Sequence, residues 1–581
     1  MVKVLTNEAD VIDYVELVNS NDKPVVLDIE TTGLNPRKDA ITQIVLAQPS
    51  TEGAIIFDGK FAPYLKNIRV PLVLHNFRFD YAFLYYNGID LRDKKMHDTM
   101  LLHHLLDENK RHGLDSIVQE KYGDNYKEVF WSKYKKFSDA PVEEQIAYAG
   151  ADVIYTGMLY LDLLSACRDS GIPSSLIEHV HKIALKLYNT EINGLKVDLN
   201  YLTQIGTELN LAIAESKRKM KDLAYPYTEM VELDTYADNL KKRKTLKGKQ
   251  AVKKEPFNFD STKQLTNLVY TKMHLPIIKN KRGNLTLDDH ALKQLDSYDP
   301  FIAELREYRK VAKLSDAFVN GTLERLEDGR VYPSFNVNGT VTGRISSSNP
   351  NLQQLPRTGN IRGIYVPDEG KRFICADYAQ LEICLAAHFS GDAVLLSLIR
   401  SGKSMHDHTA AALGVSRQVA KTINFLTIYG GSEYKLAKVL NISIELAKQH
   451  LDKLWLTYSG LKDVIDECHY KVERGEPIIN PYGRRRRFPK KFANVWEKDR
   501  AKRQAFNALI QGTGADLTHE AFYQLEYAVF PVHDEIVCSV PEAACEDYAN
   551  TIQTVMQSRG KNWLSIPLTV EVSKPMERWH K

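Results

Sequence analysis

Across 581 residues the sequence offers only six cysteines, at 167, 375, 384, 468, 538 and 545, and no two of them form a C-x-x-C pair. That spacing argues against a structural zinc or a disulfide framework, and it fits reduced thiols in a cytoplasmic setting. No apolar stretch approaches the ~20 residues that span a bilayer. The opening MVKVLTNEAD carries no long apolar core, so neither a signal peptide nor a transmembrane segment is expected. No internal repeat or low-complexity tract is visible, which argues against a repeat architecture. A large net charge is also missing: 77 Lys and Arg stand against 74 Asp and Glu, a formal +3. Composition alone therefore does not announce a nucleic-acid binder.

What is present is unevenly distributed. Between Lys241 and Lys254 there are eight basic residues and no acidic one. Between Arg484 and Arg503 ten basic residues face only Glu497 and Asp499. Such runs suit a phosphate-binding surface, and they equally suit a solvated face. At roughly 100–200 residues per domain the length suggests three to five units. The first stretch alternates apolar runs (PVVLDIETTG, ITQIVLAQ, GAIIFDG, VPLVLHN) with helical patterns, which predicts an α/β domain with active groups at strand ends. From about Glu143 to Asp169 the periodicity is helical, and from about Ile172 to Leu326 the chain is mostly helical and charged. RFICADYAQLEI (372–383) reads as a strand, a long helical portion follows from about Ala393 to Arg503, and strands close the chain around VFPVHDEIVCSV and PLTVEVS.

Two carboxylate groupings carry the chemistry. In DIETTG, Asp28 and Glu30 share one strand face by the period of two. Two carboxylates at one strand tip are costly unless a cation neutralises them. HNFRFD adds Asn76 and Asp80, and YAGAD adds Tyr148 and Asp152, four apart on one helix face. Four carboxylates suit two oxygen-loving cations, Mg²⁺ or Mn²⁺. Taken singly, each piece reads more simply as a solvated strand end or helix surface. The ordered set DIETTG, NFRFD, Y-x-x-x-D resembles the DEDD-type 3′→5′ exonucleases that use tyrosine, a ribonuclease H-like α/β fold. That resemblance implies that Asp28, Glu30, Asp80 and Asp152 hold two metals and that Tyr148 orients the attacking water. Asp98 matches a recurrent Asp-Thr of these domains and is expected to be structural or to stand just behind the metal ligands.

In the second grouping, Asp377 lies in one apolar strand and Asp534 with Glu535 in another. A structural hydrogen bond is the usual role of such a carboxylate. Two strands could instead bring Asp377 and Asp534 together around two Mg²⁺ ions for in-line phosphoryl transfer. Between them Arg417, Lys421, Phe425 and Tyr429 recur every four residues, two cations and then two aromatics. This stripe suits a triphosphate followed by a base, and it also suits an amphipathic helix packing its aromatics into a core.

DYAQLE (377–382), R-x-x-x-K-x-x-x-F-x-x-x-Y-G (417–430) and HDE (533–535) together resemble the three motifs of family A DNA polymerases. TGRISSSNPNLQQLPR, RQAFNALIQGTGAD and FNFDSTKQL are also similar to the family, so the resemblance runs from about Val25 to the C-terminus. It implies an α/β exonuclease domain (1–170), then an α+β right-hand polymerase. Its parts are a thumb (171–328, with the basic segment 241–256), a first palm portion (329–392), fingers (393–500) and a second palm portion (501–581). By the same resemblance Asp377 and Asp534 are the metal-binding carboxylates, with the main-chain carbonyl of Tyr378 as a further ligand, and Glu535 assists near the primer terminus. Lys421, Arg417 and His406 meet phosphates, and Phe425 stacks near the incoming sugar and base. Glu382 with Tyr429 excludes a ribose 2′-OH. Arg344, Asn351, Gln353, Arg503, Asn507, Gln511 and His533 match primer–template contacts, and the basic thumb segment should grip the duplex backbone.

The implied activity is template-directed synthesis from dNTPs with 3′→5′ proofreading and no 5′ nuclease, by a monomer working on primer–template DNA with two Mg²⁺ per centre. A processivity partner is not identified. The pattern departs from the family at Ala379, where Ser is common, and at Leu426, where Gly is common. Three rivals differ by class: a nuclease with a vestigial polymerase half, a non-catalytic DNA-binding scaffold, and an RNA polymerase of similar build. The set Asp377, Arg417, Lys421 and Asp534 argues against the first, eight intact acidic and basic catalytic positions argue against the second, and Glu382 argues against the third.

Overall fold

The computed structural model describes residues 2–49, 53–246, 256–280, 282–357 and 360–580, without the side chains of 237, 238 and 240–246. The side chains of the basic run 241–254, expected to grip a duplex, therefore lie outside the described residues.

The amino-terminal domain is built on a six-stranded mixed sheet. Its strands are β1 (Val2–Leu5), β2 (Val25–Thr31), β3 (Ile41–Ala47), β4 (Ala54–Asp58), β5 (Leu72–Leu74) and β6 (Met96–Asp98), in the order β1-β4-β3-β2-β5-β6. β2 is interior to the sheet, which is why VVLDIET opens on residues apolar on both faces. Its carboxylates come at the end, where cover runs out. The helix Val142–Asp169 lies across β2, close enough at Gly157 that a Cβ there would press on Pro49 and Val26. This helix ends at Asp169.

Helix Ser174–Asn193 buries Val180, Ile183, Ala184 and Leu187 and packs on the long helix Val495–Gln524 and the strand Ala528–Val532. Strand Leu195–Val197 pairs with Tyr365–Val366 and Arg330–Val331. Both elements join the palm, because their apolar faces are buried there. Helix Leu199–Leu223 leads into a region with its own separate core around Met220, Leu268, Phe301, Leu305 and Tyr308.

The palm sheet runs Ala528–Val532, Glu535–Pro541, Lys371–Tyr378, Val570–Val572, all antiparallel. The strand expected over 372–383 stops at Tyr378. Gln380 turns into the left-handed region (φ +54°), and a helix starts at Leu381, placing Glu382 in its first turn. The expected helical stretch 393–503 is six helices and a small hairpin (Ile478–Ile479 with Arg485–Arg486) leading into Val495–Gln524, which crosses the expected fingers–palm boundary at 500.

That hairpin corrects both readings of the second basic run at Arg484–Arg487. Arg484 is buried and bidentate on buried Asp516, at 2.6 and 2.9 Å, with His179 Nε2 3.3 Å from the same carboxylate. Arg486 and Arg487 each meet buried Glu108 at 2.9 Å. A buried carboxylate must be paired, so these arginines turn inward and tie the amino-terminal domain to the palm. No described helix is long and apolar enough to cross a membrane. All six cysteines are free and buried.

Candidate active sites

In the amino-terminal centre, β2 and the helix Val142–Asp169 bring Asp28, Glu30 and Asp152 together. One carboxylate oxygen from each lies within 4.8 Å of the other two. Such a set suits a hard divalent cation, since converging carboxylate oxygens repel one another unless positive charge is held among them. Burial, and then the charge of Asp152, push Asp28 up to about 8. Burial, and then Asp28, raise Glu30 and Asp80 well above the ordinary carboxylate range. Asp80 is buried, accepts the Ile29 backbone N–H at 3.2 Å, and stands outside the cluster of three. Asp98 is structural, as expected. It caps the helix Thr99–Leu106 and accepts from the backbone N–H groups of Asn76 and Phe77 at 2.9 and 3.0 Å.

The short helix Tyr126–Lys133 covers this centre and supplies residues that sequence reading missed. Lys127 Nζ donates to Asp152 Oδ2 at 2.7 Å, and the Tyr126 hydroxyl donates to Asp152 Oδ1. Burial opposes the charge of Lys127, yet Asp152 and Tyr148 beside it hold its pKa above the ordinary lysine value. Tyr148 Oη accepts from Lys127 Nζ at 3.3 Å and from Trp131 Nε1 at 3.2 Å. Its ring is boxed by Phe130 (centroids 4.3 Å), Tyr126 and Phe137. Burial, and then Asp152, push the Tyr148 hydroxyl up to about 12. Lys127 and Trp131 lie one helical turn apart, a spacing too common to single out without the fold.

In the palm, Asp377 is the penultimate residue of one strand and Asp534 closes the two-residue turn that leads into its neighbour. Asp377 stands in register with Glu535, and the Asp534 carbonyl accepts the Tyr378 N–H at 3.3 Å. Burial, and then the charge of Asp377, push Asp534 up to about 6. Both aspartates line an open cavity of about 650 Å³ with Arg417, Lys421, Phe425 and Tyr429. Two aspartates facing open space fit a divalent cation whose remaining ligands arrive with a phosphate.

The helix Arg417–Ile428 presents its stripe to this cavity. Arg417 and Lys421 are exposed, Arg417 pairs with Asp407 at 2.8 Å, and the Phe425 and Tyr429 rings stack with centroids 6.2 Å apart. The alternative reading, of a stripe packed into the core, does not describe Arg417 and Lys421. Leu426 lies on the other side, against Gly431, where any Cβ would collide with Leu426 Cδ2. Glu382 is clamped: Arg344 donates to it at 2.9 Å and the Tyr429 hydroxyl at 2.6 Å. His406 is buried at the cavity wall and its Nδ1 meets the Asn424 amide at 3.0 Å.

Glu535 departs from expectation. Its carboxylate is fully buried, away from the cavity, between Arg362 Nη1 (3.4 Å) and Trp579 Nε1 (3.3 Å). It braces the floor beneath the two aspartates. Arg357, also missed, bridges Asp377 (3.4 Å) and Glu535 (3.7 Å). Of the expected DNA contacts, Arg344, Gln511 and His533 line the cavity. Asn351 caps its own short helix, and Gln353 donates to the Pro531 carbonyl at 2.7 Å. Arg503 packs its backbone against Gly430, and Asn507 lies one turn further along the same helix, half-buried.

Comparison with known proteins agrees with this geometry. Residues 230–581 match the model of DNA polymerase family A, and residues 2–167 match a 3′-5′ exonuclease model. Both models bring divalent-metal chemistry. DNA polymerase I of Aquifex aeolicus is 30% identical over 561 residues, covering 88% of each chain. DNA polymerase I of Chloroflexus aurantiacus is 29% identical over 558 residues, 88% of this chain and 55% of that protein, so the chain spans about half of that relative's length. A solved structure described as the POL domain of Pol1 from M. smegmatis in complex with DNA primer-template and dNTP superposes with a TM-score of 0.81 at 23% identity. That superposition covers 100% of this chain and 99% of the other.

Proposed function

The chain belongs to DNA polymerase family A, and from that premise we propose that it extends a DNA primer with dNTPs under template direction and removes mismatched 3′ ends at its amino-terminal centre. The observation that carries this reading is the pairing of Asp377 with Asp534 beneath the exposed Arg417–Lys421 stripe. Mg²⁺ is the proposed cation at both centres, with Mn²⁺ able to substitute. When bound, it lowers the barrier to in-line displacement at phosphorus by neutralising charge on the entering and leaving oxygens.

The chain's own residues do the rest. Asp377 and Asp534 hold the cation, and Lys421 and Arg417 bind the triphosphate through charge-assisted hydrogen bonds. Phe425 offers a flat face to the base. Glu382, fixed by Arg344 and Tyr429, occupies the space a 2′-hydroxyl would need, which selects deoxynucleotides. Gln511 and His533 approach the minor groove, where all correct pairs present acceptors at similar places. In the other centre Asp28, Glu30 and Asp152 hold the cation, with Asp80 adjoining. Both centres are built within one chain, which suits a monomer acting where DNA and dNTPs are found, in the cytoplasm.

The test is primer extension by the purified chain with all four dNTPs and Mg²⁺, on matched and mismatched primers, with a second arm lacking dNTPs. Extension of the matched primer and shortening of the mismatched one are expected. No incorporation would overturn the synthetic reading, and efficient use of rNTPs would overturn the substrate assignment.

A further inference from the structure

The helix Tyr126–Lys133 belongs to no motif, yet it places two hydrogen-bond donors on one oxygen of the hydrolytic centre. Trp131 Nε1 reaches Tyr148 Oη at 3.2 Å and Lys127 Nζ reaches it at 3.3 Å. An indole N–H and an ammonium are donors only, and neither can accept a proton from the tyrosine. A phenol oxygen has two acceptor positions and one O–H donor. Both acceptor positions are therefore taken by groups that cannot reverse the polarity of the bond. One hydrogen remains, free to rotate only into the direction the two donors leave open.

We propose that Trp131 and Lys127 are positioning residues that lock Tyr148 as an obligate hydrogen-bond donor toward the oxygens of the reacting phosphodiester or its attacking water. The inference rests on the proposed nuclease reading of this centre. It adds a direction to the role of Tyr148, which gives a hydrogen bond and does not remove a proton. In the hydrolysis, a water oxygen adds to phosphorus, the P–O3′ bond breaks, and the departing 3′ oxygen ends with a proton that originates from water. Tyr148 keeps its own proton throughout.

Three further features support the lock. The Tyr148 ring cannot swing away, since Phe130, Tyr126 and Phe137 surround it. Lys127 is itself held by Asp152 at 2.7 Å, so its position is tied to the carboxylate cluster. Trp131 makes its one side-chain hydrogen bond to Tyr148 and is otherwise 46% exposed, an arrangement that packing alone does not require.

The experiment is a double-mutant cycle on the full chain, reading degradation of a 5′-labelled single-stranded oligonucleotide in Mg²⁺ without dNTPs. Primer extension by each variant reports that it is folded. Trp131→Phe keeps an aromatic ring but removes the indole N–H donor along with part of the ring's bulk, a packing change that the Tyr148→Phe background shares. It should lower kcat by about 2- to 10-fold, the worth of one hydrogen bond, with KM unchanged. In the Tyr148→Phe background the same change should have no further effect. Lys127→Met should lower kcat more, and Lys127→Arg should recover most of that loss.

A wild-type rate for Trp131→Phe would overturn the inference, as would an equal fold-loss with and without the Tyr148 hydroxyl. An inactive wild type would instead show that the nuclease reading itself is wrong, whereas a fully active Tyr148→Phe would leave that reading standing and overturn the inference. Those two results appear before any Trp131 variant is measured.

Discussion

In the amino-terminal centre three carboxylates converge within 4.8 Å of one another, and a lysine of the same domain is folded in among them. In the palm two aspartates face an open cavity, and the principal cations stand across it on a separate helix, exposed or paired elsewhere. Both regions concentrate negative charge at strand ends. One balances it with Lys127 held directly in the cluster, while the other has only the half-exposed Arg357 at 3.4 Å from Asp377 and leaves Arg417 and Lys421 for a charged ligand to engage. The difference matches the proposed tasks. Hydrolysis needs a fixed water and a fixed strand end, so a compact, pre-assembled site serves it. Synthesis must admit and release a triphosphate at every step, and its cations stand exposed across an open cavity.

The strongest way to break this comparison is to disable one centre and read the other. Asp377→Ala or Asp534→Ala should cut primer extension on the order of 10³-fold, since the charge stabilisation lost is worth several kcal/mol, and should leave single-strand degradation intact. Asp28→Ala with Glu30→Ala should do the reverse. Loss of both activities in a folded variant would mean that the centres are not separate.

The physical link between the regions offers a second test. Glu108→Ala strands the guanidinium groups of Arg486 and Arg487 at the domain junction. It should cost about 2–4 kcal/mol and split a single thermal transition into two, read by calorimetry. One unchanged transition would show that the junction does not hold the halves together.

A third test concerns selectivity, expected in the palm alone. Glu382→Ala removes the group that Arg344 and Tyr429 hold in place. It should raise rNTP relative to dNTP incorporation by roughly 10- to 100-fold and leave degradation unchanged, measured as a ratio of kcat/KM values.

The smallest effect is a predicted absence. Burial and Asp152 raise Tyr148, so the hydroxyl stays protonated up to about 12 and remains a donor across the working range. The degradation rate should then show no inflection between about pH 8 and 10 that vanishes in Tyr148→Phe. Such an inflection would mean that the phenolate takes part.

Much of both sites was legible in the sequence because the residues that hold phosphate chemistry sit at fixed intervals on single elements. Asp28 and Glu30 share a face because a strand repeats every two residues, and Arg417, Lys421, Phe425 and Tyr429 because a helix repeats near every four. The stripe's alternative as buried packing could not be dismissed from periodicity, which is the same for a core face and a ligand face. Boundaries were less legible. Ser174–Asn193 carries the composition of a thumb helix, and only the palm surface it covers assigns it. Arg484–Arg487 looks like a surface run, since nothing nearby in sequence announces Glu108 or Asp516 as partners.

The sequence by itself determined the two acidic centres, the cationic and aromatic helix between the palm strands, and the α/β-then-α+β order of the chain. These follow from local periodicity and short spacing. The tertiary structure alone decided that Glu535 turns inward to Arg362 and Trp579, that Lys127 and Trp131 converge on Tyr148, and that a basic hairpin joins the domains. Each of these depends on groups distant in sequence or on an unremarkable local spacing, and the free energy of burying a charge or a polar oxygen is set by whichever partners the fold supplies.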